Sequence, residues 1–282
     1  MSTIETPPVP RRAGRFIKAL TATVIVGLAC FIAYEGRLLY REFVLLRANE
    51  ATARSGAVIG YVNINPRYNY ATKPEDWFRD EGEHTMLWAA WRGDRHEWFQ
   101  LSRGDISRDQ LSPPFGRDVI QAIDYPILEN GGGAHWGKIP DEDLVGRIEC
   151  KGIHAVYPIL VLRKVEVVND LIEDIPLLVT FTPFVPEGEA GRVYDPLLDG
   201  KRVTMGLSGY FLDRKPVLYD RGSQSLWVER DGALTAISGP HKGASLRELF
   251  RLQILPWSDC RSRHPESRLL VGADRSKGKP EL

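Results

Sequence analysis

Hydrophobic positions in this chain come in short alternating runs separated by polar turn residues, the pattern of strands rather than of long helices. Val145–Cys150 and Ile153–Tyr157 flank Lys151-Gly152, Val193-Tyr194 and Val203-Thr204 flank Asp199-Gly200, and Leu226–Val228 and Leu234–Ala236 flank Asp231-Gly232. Such pairs supply the positive φ angles of tight turns, so each reads as a hairpin. Met86–Trp91 and Glu97–Leu101, joined through Gly93-Asp94, predict another. Gly56–Arg67 reads as a strand ended by Pro66, and Asn69–Gly82 as mainly loop. Leu111–Gly116, with Pro113-Pro114, reads as a linker or edge segment. Helix signals are confined to Pro158–Lys164, Arg247–Arg251 and Asp259–His264. The expectation is mainly β or α+β: one antiparallel, β-rich domain with short helices over residues 56–282.

One stretch has a different pattern. Phe16–Tyr34 is apolar or small except for Lys18, and at about 1.5 Å per residue a helix of that length crosses a bilayer core. The run continues through Phe31-Ile32-Ala33-Tyr34 without a small-residue cleavage site, and Gly27 stands where a lipoprotein site before Cys30 wants an aliphatic residue. An uncleaved transmembrane anchor fits best. It follows a tail, residues 1–15, whose prolines and arginines predict disorder. Arg11, Arg12, Arg15 and Lys18 precede the span while Arg37, Arg41 and Arg47 follow it, so the charge bias is thin. The short basic tail favours a cytoplasmic N-terminus in the inner membrane, with the body periplasmic or extracellular. Leu38, Leu39, Phe43 and Leu46 recur at near-helical spacing in the juxtamembrane stretch 35–55. That stretch reads as a stalk, a surface-lying helix, a site for a membrane-protein partner or self-association, or simply a continuation of the anchor helix.

Composition narrows the classes. The 37 basic and 37 acidic residues cancel, which gives no footprint for nucleic acid. Three cysteines exclude a disulfide scaffold, although Cys150 and Cys260 could pair in an oxidising compartment.

The chemical motifs are incomplete. Gly206-Leu207-Ser208-Gly209-Tyr210 approaches the nucleophile elbow, but Tyr210 replaces its last glycine and no helix follows, so Ser208 reads as a turn residue. His96-Glu97 lacks the second zinc ligand, since Gln100 stands four residues on, and no other histidine has a close ligand partner in sequence. Gly131-Gly132-Gly133 precedes Trp136 without the Lys-Ser/Thr of a phosphate loop and reads as a flexible turn.

From Ile123 to Val271 the chain resembles the bacterial family called domain of unknown function 3179. The shared landmarks are Ile123-Asp124-Tyr125-Pro126, Tyr157-Pro158, Val167-Val168-Asn169-Asp170, Val179-Thr180-Phe181, Gly206-Leu207-Ser208-Gly209, Leu218-Tyr219-Asp220-Arg221, Ser225-Leu226-Trp227, Ser238-Gly239-Pro240, Trp257 and Arg263-His264-Pro265. The family's W-H-E-I-V-N-D appears as Lys164-Val165-Glu166-Val167-Val168-Asn169-Asp170. Its V-T-Y-C-P-L-C-G becomes Val179-Thr180-Phe181-Thr182-Pro183-Phe184-Val185. Val165 thus replaces the histidine, and Thr182 and Val185 replace both cysteines, which removes a thiol or metal triad. No cofactor and no metal are expected. Cleft candidates are Asn169, Asp170, Thr182, Ser208, Asp220, Trp227 and His264. The leading expectation is a binding or scaffolding domain without catalysis. The alternatives are a hydrolase or transferase using residues of the 169–227 region and a lectin-like module.

Overall fold

A computed structural model describes residues 73–274 except 93, 94, 184 and 214. All of them fall in one compact unit. The basic tail, the proposed anchor, the juxtamembrane stretch and the strand expected at Gly56–Arg67 lie outside the described residues, among which no helix is long and apolar enough to cross a membrane.

The strands begin with β1 (Phe78–Glu81), β2 (His84–Arg92), β3 (Arg95–Ser102), β4 (Pro126–Glu129), β5 (Leu144–Cys150) and β6 (Ile153–Pro158). Next come β7 (Val167–Ile172), β8 (Ile175–Phe181), β9 (Gly191–Tyr194), β10 (Leu197–Leu198), β11 (Lys201–Arg202) and β12 (Met205–Leu212). The last are β13 (Lys215–Asp220), β14 (Leu226–Arg230), β15 (Ala233–Ala236), β16 (Ser245–Arg251), β17 (Gln253–Pro256) and β18 (Arg268–Ala273). Short helices occupy Ile159–Val165, Glu187–Ala190 and Trp257–Arg263. The described body is therefore β-rich and largely antiparallel, with β6 and β18 paired in parallel.

Turn chemistry sets the hairpins. Asp231 and Gly232 sit at φ of 50° and 78° between β14 and β15, and Lys151 and Gly152 at 49° and 78° between β5 and β6. Asp199-Gly200 turns the chain as expected, but the strands it joins are β10 and β11, while Val193-Tyr194 belongs to β9. Arg247–Arg251, expected as a helix, lies in β16, where its partners on β9 and β15 hold it extended. Ser208 also departs from the expected turn. It sits in β12 at a register shift between Leu207 and Tyr210, a bulge that Gly209 accommodates at φ +85°.

The largest sheet has the order β12-β13-β14-β15-β16-β9-β8-β7. Its two ends meet. The stretch 111–124, read from sequence as a linker or edge segment, runs along β12 with Ser112 N donating to Phe211 O, Phe115 N to Gly209 O and Asp118 N to Leu207 O. It then joins β7, where Ile123 N donates to Val167 O and Asn169 N to Ile123 O. Asn169 completes the seam from β7, its Nδ2 donating to Met205 O and its Oδ1 accepting from Met205 N, both at 2.8 Å. Each strand of the closed sheet sends side chains to one buried cluster: Val167, Leu178, Tyr194, Met205, Leu218, Trp227, Leu234 and Leu246 among them. That cluster is the interior of a barrel.

Two sheets pack outside it. The sheet β1-β2-β3 lays Leu87, Trp88, Phe99 and Leu101 against Tyr210, Tyr219 and Val228. The sheet β17-β5-β6-β18-β4, with the helix Ile159–Val165, buries Ile148, Tyr157, Leu162 and Leu270 against Val168, Leu177, Val179 and Val193. On its other side Trp257 and Cys260 pack with Trp136, Val145 and Val156. Cys150 and Cys260 are free thiols. The glycine run is a packed loop rather than a loose one, because a Cβ at Gly131 would lie 1.8 Å from Pro265 O and one at Gly133 2.3 Å from the Glu129 carboxyl.

Candidate functional site at the barrel mouth

Most of the expected site residues hold the barrel together. Asn169 stitches the seam and also donates to Asp124 Oδ1 at 2.8 Å. Asp170 accepts from Tyr157 Oη at 2.6 Å inside the wall. Ser208 is fully buried; its hydroxyl donates to Val217 O at 2.6 Å and accepts from Tyr210 N at 3.2 Å, so it serves the bulge. Asp220 accepts from Ser223 N and Ser223 Oγ at 2.6 Å each and from Trp227 Nε1 at 3.0 Å. Burial opposes its charge, but the bonds from Ser223 and Trp227 outweigh that and hold its pKa below the ordinary value. His264 lies apart from these, beside His154. Of the expected residues only Thr182 lines the cavity at the barrel mouth.

Asp220, Ser223 and His241 superficially suggest a hydrolytic triad. Ser223 Oγ and Asp220 Oδ2 lie at 3.3 Å from the same nitrogen, His241 Nδ1. A relay needs the serine on one ring nitrogen and the carboxylate on the other. Ser223 Oγ is also engaged by Ser225 Oγ at 2.6 Å, which in turn accepts from His241 N at 3.0 Å. These bonds fix the loop that closes over Trp227.

A cavity of about 260 Å³ opens at the mouth of the barrel. Thr180 and Phe181 on β8, Arg192 and Tyr194 on β9, Leu218 on β13, Glu229 on β14 and Leu234 on β15 converge on it, together with Thr182 and Val185 beyond β8. Its volume falls just short of the roughly 300–1,000 Å³ usual for drug-sized ligands. Both cations in its wall are engaged. Arg192 pairs with Glu248 and with Glu229 at 3.2 Å, and Lys215 Nζ donates to Glu229 O at 3.0 Å.

Glu166 is the distinctive group. It caps the helix Ile159–Val165 at φ 56°, a left-handed position that glycine normally takes. Its backbone is held from both sides, with Glu166 N donating to Leu162 O and Phe181 N donating to Glu166 O, both at 2.8 Å. The residue is only 5% exposed, and the side-chain Oε2 has no hydrogen-bond partner. Burial alone raises its pKa to about 7. A carboxyl that is half protonated near neutral pH and lines a cavity can give or accept a proton and can pair with a cation.

The family match covers this mouth. The chain belongs to the family described as protein of unknown function (DUF3179), whose model matches residues 117–280. No curated protein and no solved structure matches the chain. Thr182 and Val185 both line the cavity together with Glu166. Val165 is packed into the core outside the barrel. Glu166 was not among the cleft candidates read from sequence. Nor were Arg192, Tyr194 and Glu229, because strand register alone brings them to the mouth.

One further group departs from the sequence reading. Distant histidines, His154 and His264, meet with Glu266, with their ligand atoms all within 4.8 Å of one another.

Proposed function

We propose that this protein is a membrane-anchored extracytoplasmic binding domain without catalysis, whose barrel mouth takes a small ligand bearing an ammonium group. The observation that carries the reading is the Glu166 carboxyl, buried with an unpartnered Oε2 in the wall of the cavity. An ammonium group gives that carboxyl the counter-charge that its surroundings withhold, since burial is what disfavours its ionised form. Phe181, Val185, Pro216, Leu218 and Leu234 supply an apolar wall for the rest of the ligand. The alternative, a hydrolase or transferase of the 169–227 region, has less support. Ser208 and Asp220 are consumed by structural bonds, and the lining residues include no serine, cysteine or histidine.

The test is a panel of small primary amines and their uncharged alcohol counterparts, followed by calorimetry. An amine should bind more tightly as pH rises through 7, and Glu166→Gln should abolish that dependence and most of the affinity. Equal binding of amine and alcohol, or full binding by Glu166→Gln, contradicts the reading. The topology is tested separately: protease added to intact spheroplasts should digest the body, and a body protected until the membrane is broken contradicts the proposed orientation.

A further inference from the structure

The parallel pairing of β6 with β18, Arg268 opposite Ala155 and Leu269 opposite Val156, brings the chain entering β18 beside the start of β6. Glu266 thereby comes next to His154. His264 reaches the same place from the end of the helix Trp257–Arg263, where its N–H donates to Cys260 O at 2.9 Å and its carbonyl accepts from Ser267 N at 3.1 Å. The intervening Pro265 is pressed against Gly131, where no side chain fits. The loop holding the cluster is thus fixed from beneath.

His154 Nε2 lies 3.3 Å and His264 Nδ1 3.6 Å from the same oxygen, Glu266 Oε1. Ligand atoms at about 2.0–2.1 Å from a tetrahedral zinc lie about 3.4 Å apart, so both distances match edges of such a site. The two imidazoles stack at 4.6 Å between centroids and 31° between planes, so a side-chain rotation makes their lone pairs converge. We propose that His154, His264 and Glu266 form a site for a divalent transition metal such as zinc, with a fourth position open to solvent. Two imidazoles and one carboxylate are a donor set that zinc accepts with one ligand position left over. This site is separate from the barrel mouth and does not depend on the function proposed for it.

Arg147 supplies an internal control. Its Nη2 lies 2.5 Å from His154 Nδ1 and 3.2 Å from Glu149, while its Nη1 donates to Gln253 at 2.7 Å. Donation to Nδ1 leaves the His154 ring proton on Nε2. Metal binding at Nε2 moves that proton to Nδ1, so Arg147 must release the ring and keep only Glu149 and Gln253. Removing the guanidinium removes both this competition and a positive charge, and should strengthen metal binding.

The full chain, untagged, in detergent and stripped with chelator, is titrated with Co²⁺ and then Zn²⁺, reading the cobalt d–d absorption and the zinc stoichiometry. One equivalent should bind, with a cobalt spectrum that zinc displaces. His154→Gln and His264→Gln should each weaken binding by more than the ~10–100-fold expected for loss of a supporting residue around a metal. Arg147→Gln should bind more tightly than the parent, and His135→Gln and His241→Gln should bind as the parent does. Circular dichroism of each variant confirms folding. Absence of stoichiometric binding by the parent overturns the proposal. So does unchanged binding in both His154→Gln and His264→Gln, or equal loss in the control variants.

Discussion

Asn169 bonds both backbone groups of Met205, so a single side-chain amide acts as a rung of backbone pairing between the first and last strands of the barrel order. The same Nδ2 also donates to Asp124, which is tied to Arg221 at 3.2 Å. Asn169→Leu keeps the branched heavy-atom skeleton but leaves the N–H and carbonyl of Met205 unpaired in a dry environment. It should cost about 2–6 kcal/mol, since each of the two buried unpaired groups costs roughly 1–3 kcal/mol. Urea unfolding of the body measures this, and a loss below about 1 kcal/mol would show that the stretch 111–124 closes the seam without Asn169.

Ser208 and Asp220 carry structure rather than chemistry. Ser208→Ala removes the donor to Val217 O and the acceptor for Tyr210 N, and should lower stability by about 1–3 kcal/mol. Asp220→Ala strips partners from Ser223 and from the buried Trp227 indole, and should cost more. Thermal melts rank the two. A variant at either position with unchanged stability would reopen the catalytic alternative.

Glu166 predicts a pH dependence of defined sign. Burial raises its pKa from 4.5 to about 7, so between those values the folded protein keeps a proton that the unfolded chain gives up. Its contribution to stability is therefore complete below pH 4.5, is lost as pH rises toward 7, and changes no further above that. Asp124 and Asp170 are also raised by burial, so the parent is compared with Glu166→Gln, in which those two groups are unchanged. The variant should gain on the parent between pH 4.5 and 8 by up to about 3 kcal/mol. Parallel stability profiles would mean that the carboxyl titrates normally.

Local pattern made much of the fold legible. Lys151-Gly152 and Asp231-Gly232 mark their hairpins because positive φ is written into those residue pairs. Arg247–Arg251 misled, since its neighbours on β9 and β15 override any helical spacing. Closure of the barrel was not legible, because Asn169 and Met205 are far apart in sequence and meet only after every intervening strand has paired. For the same reason the family landmarks around Asn169 and Asp220 suggested a cleft, whereas their side chains are spent on structural hydrogen bonds. Thr182 is a cleft candidate from sequence, but its place beside Glu166 depends on the register of β8 against the helix that ends at Val165. His154 and His264 required the parallel pairing of β6 and β18, which no hairpin signal announces.

The claim that Glu166 makes the barrel mouth a binding site is tested most directly at the carboxyl itself. Protein labelled with ¹³C at glutamate side-chain carboxyls, with the Glu166 signal assigned by its absence in Glu166→Gln, is titrated from pH 4 to 9 alone and with a saturating small amine. The account predicts a midpoint near 7 in the free protein and a clear downward displacement when the amine is present. A midpoint at the ordinary 4.5, or one that no amine moves, would contradict it.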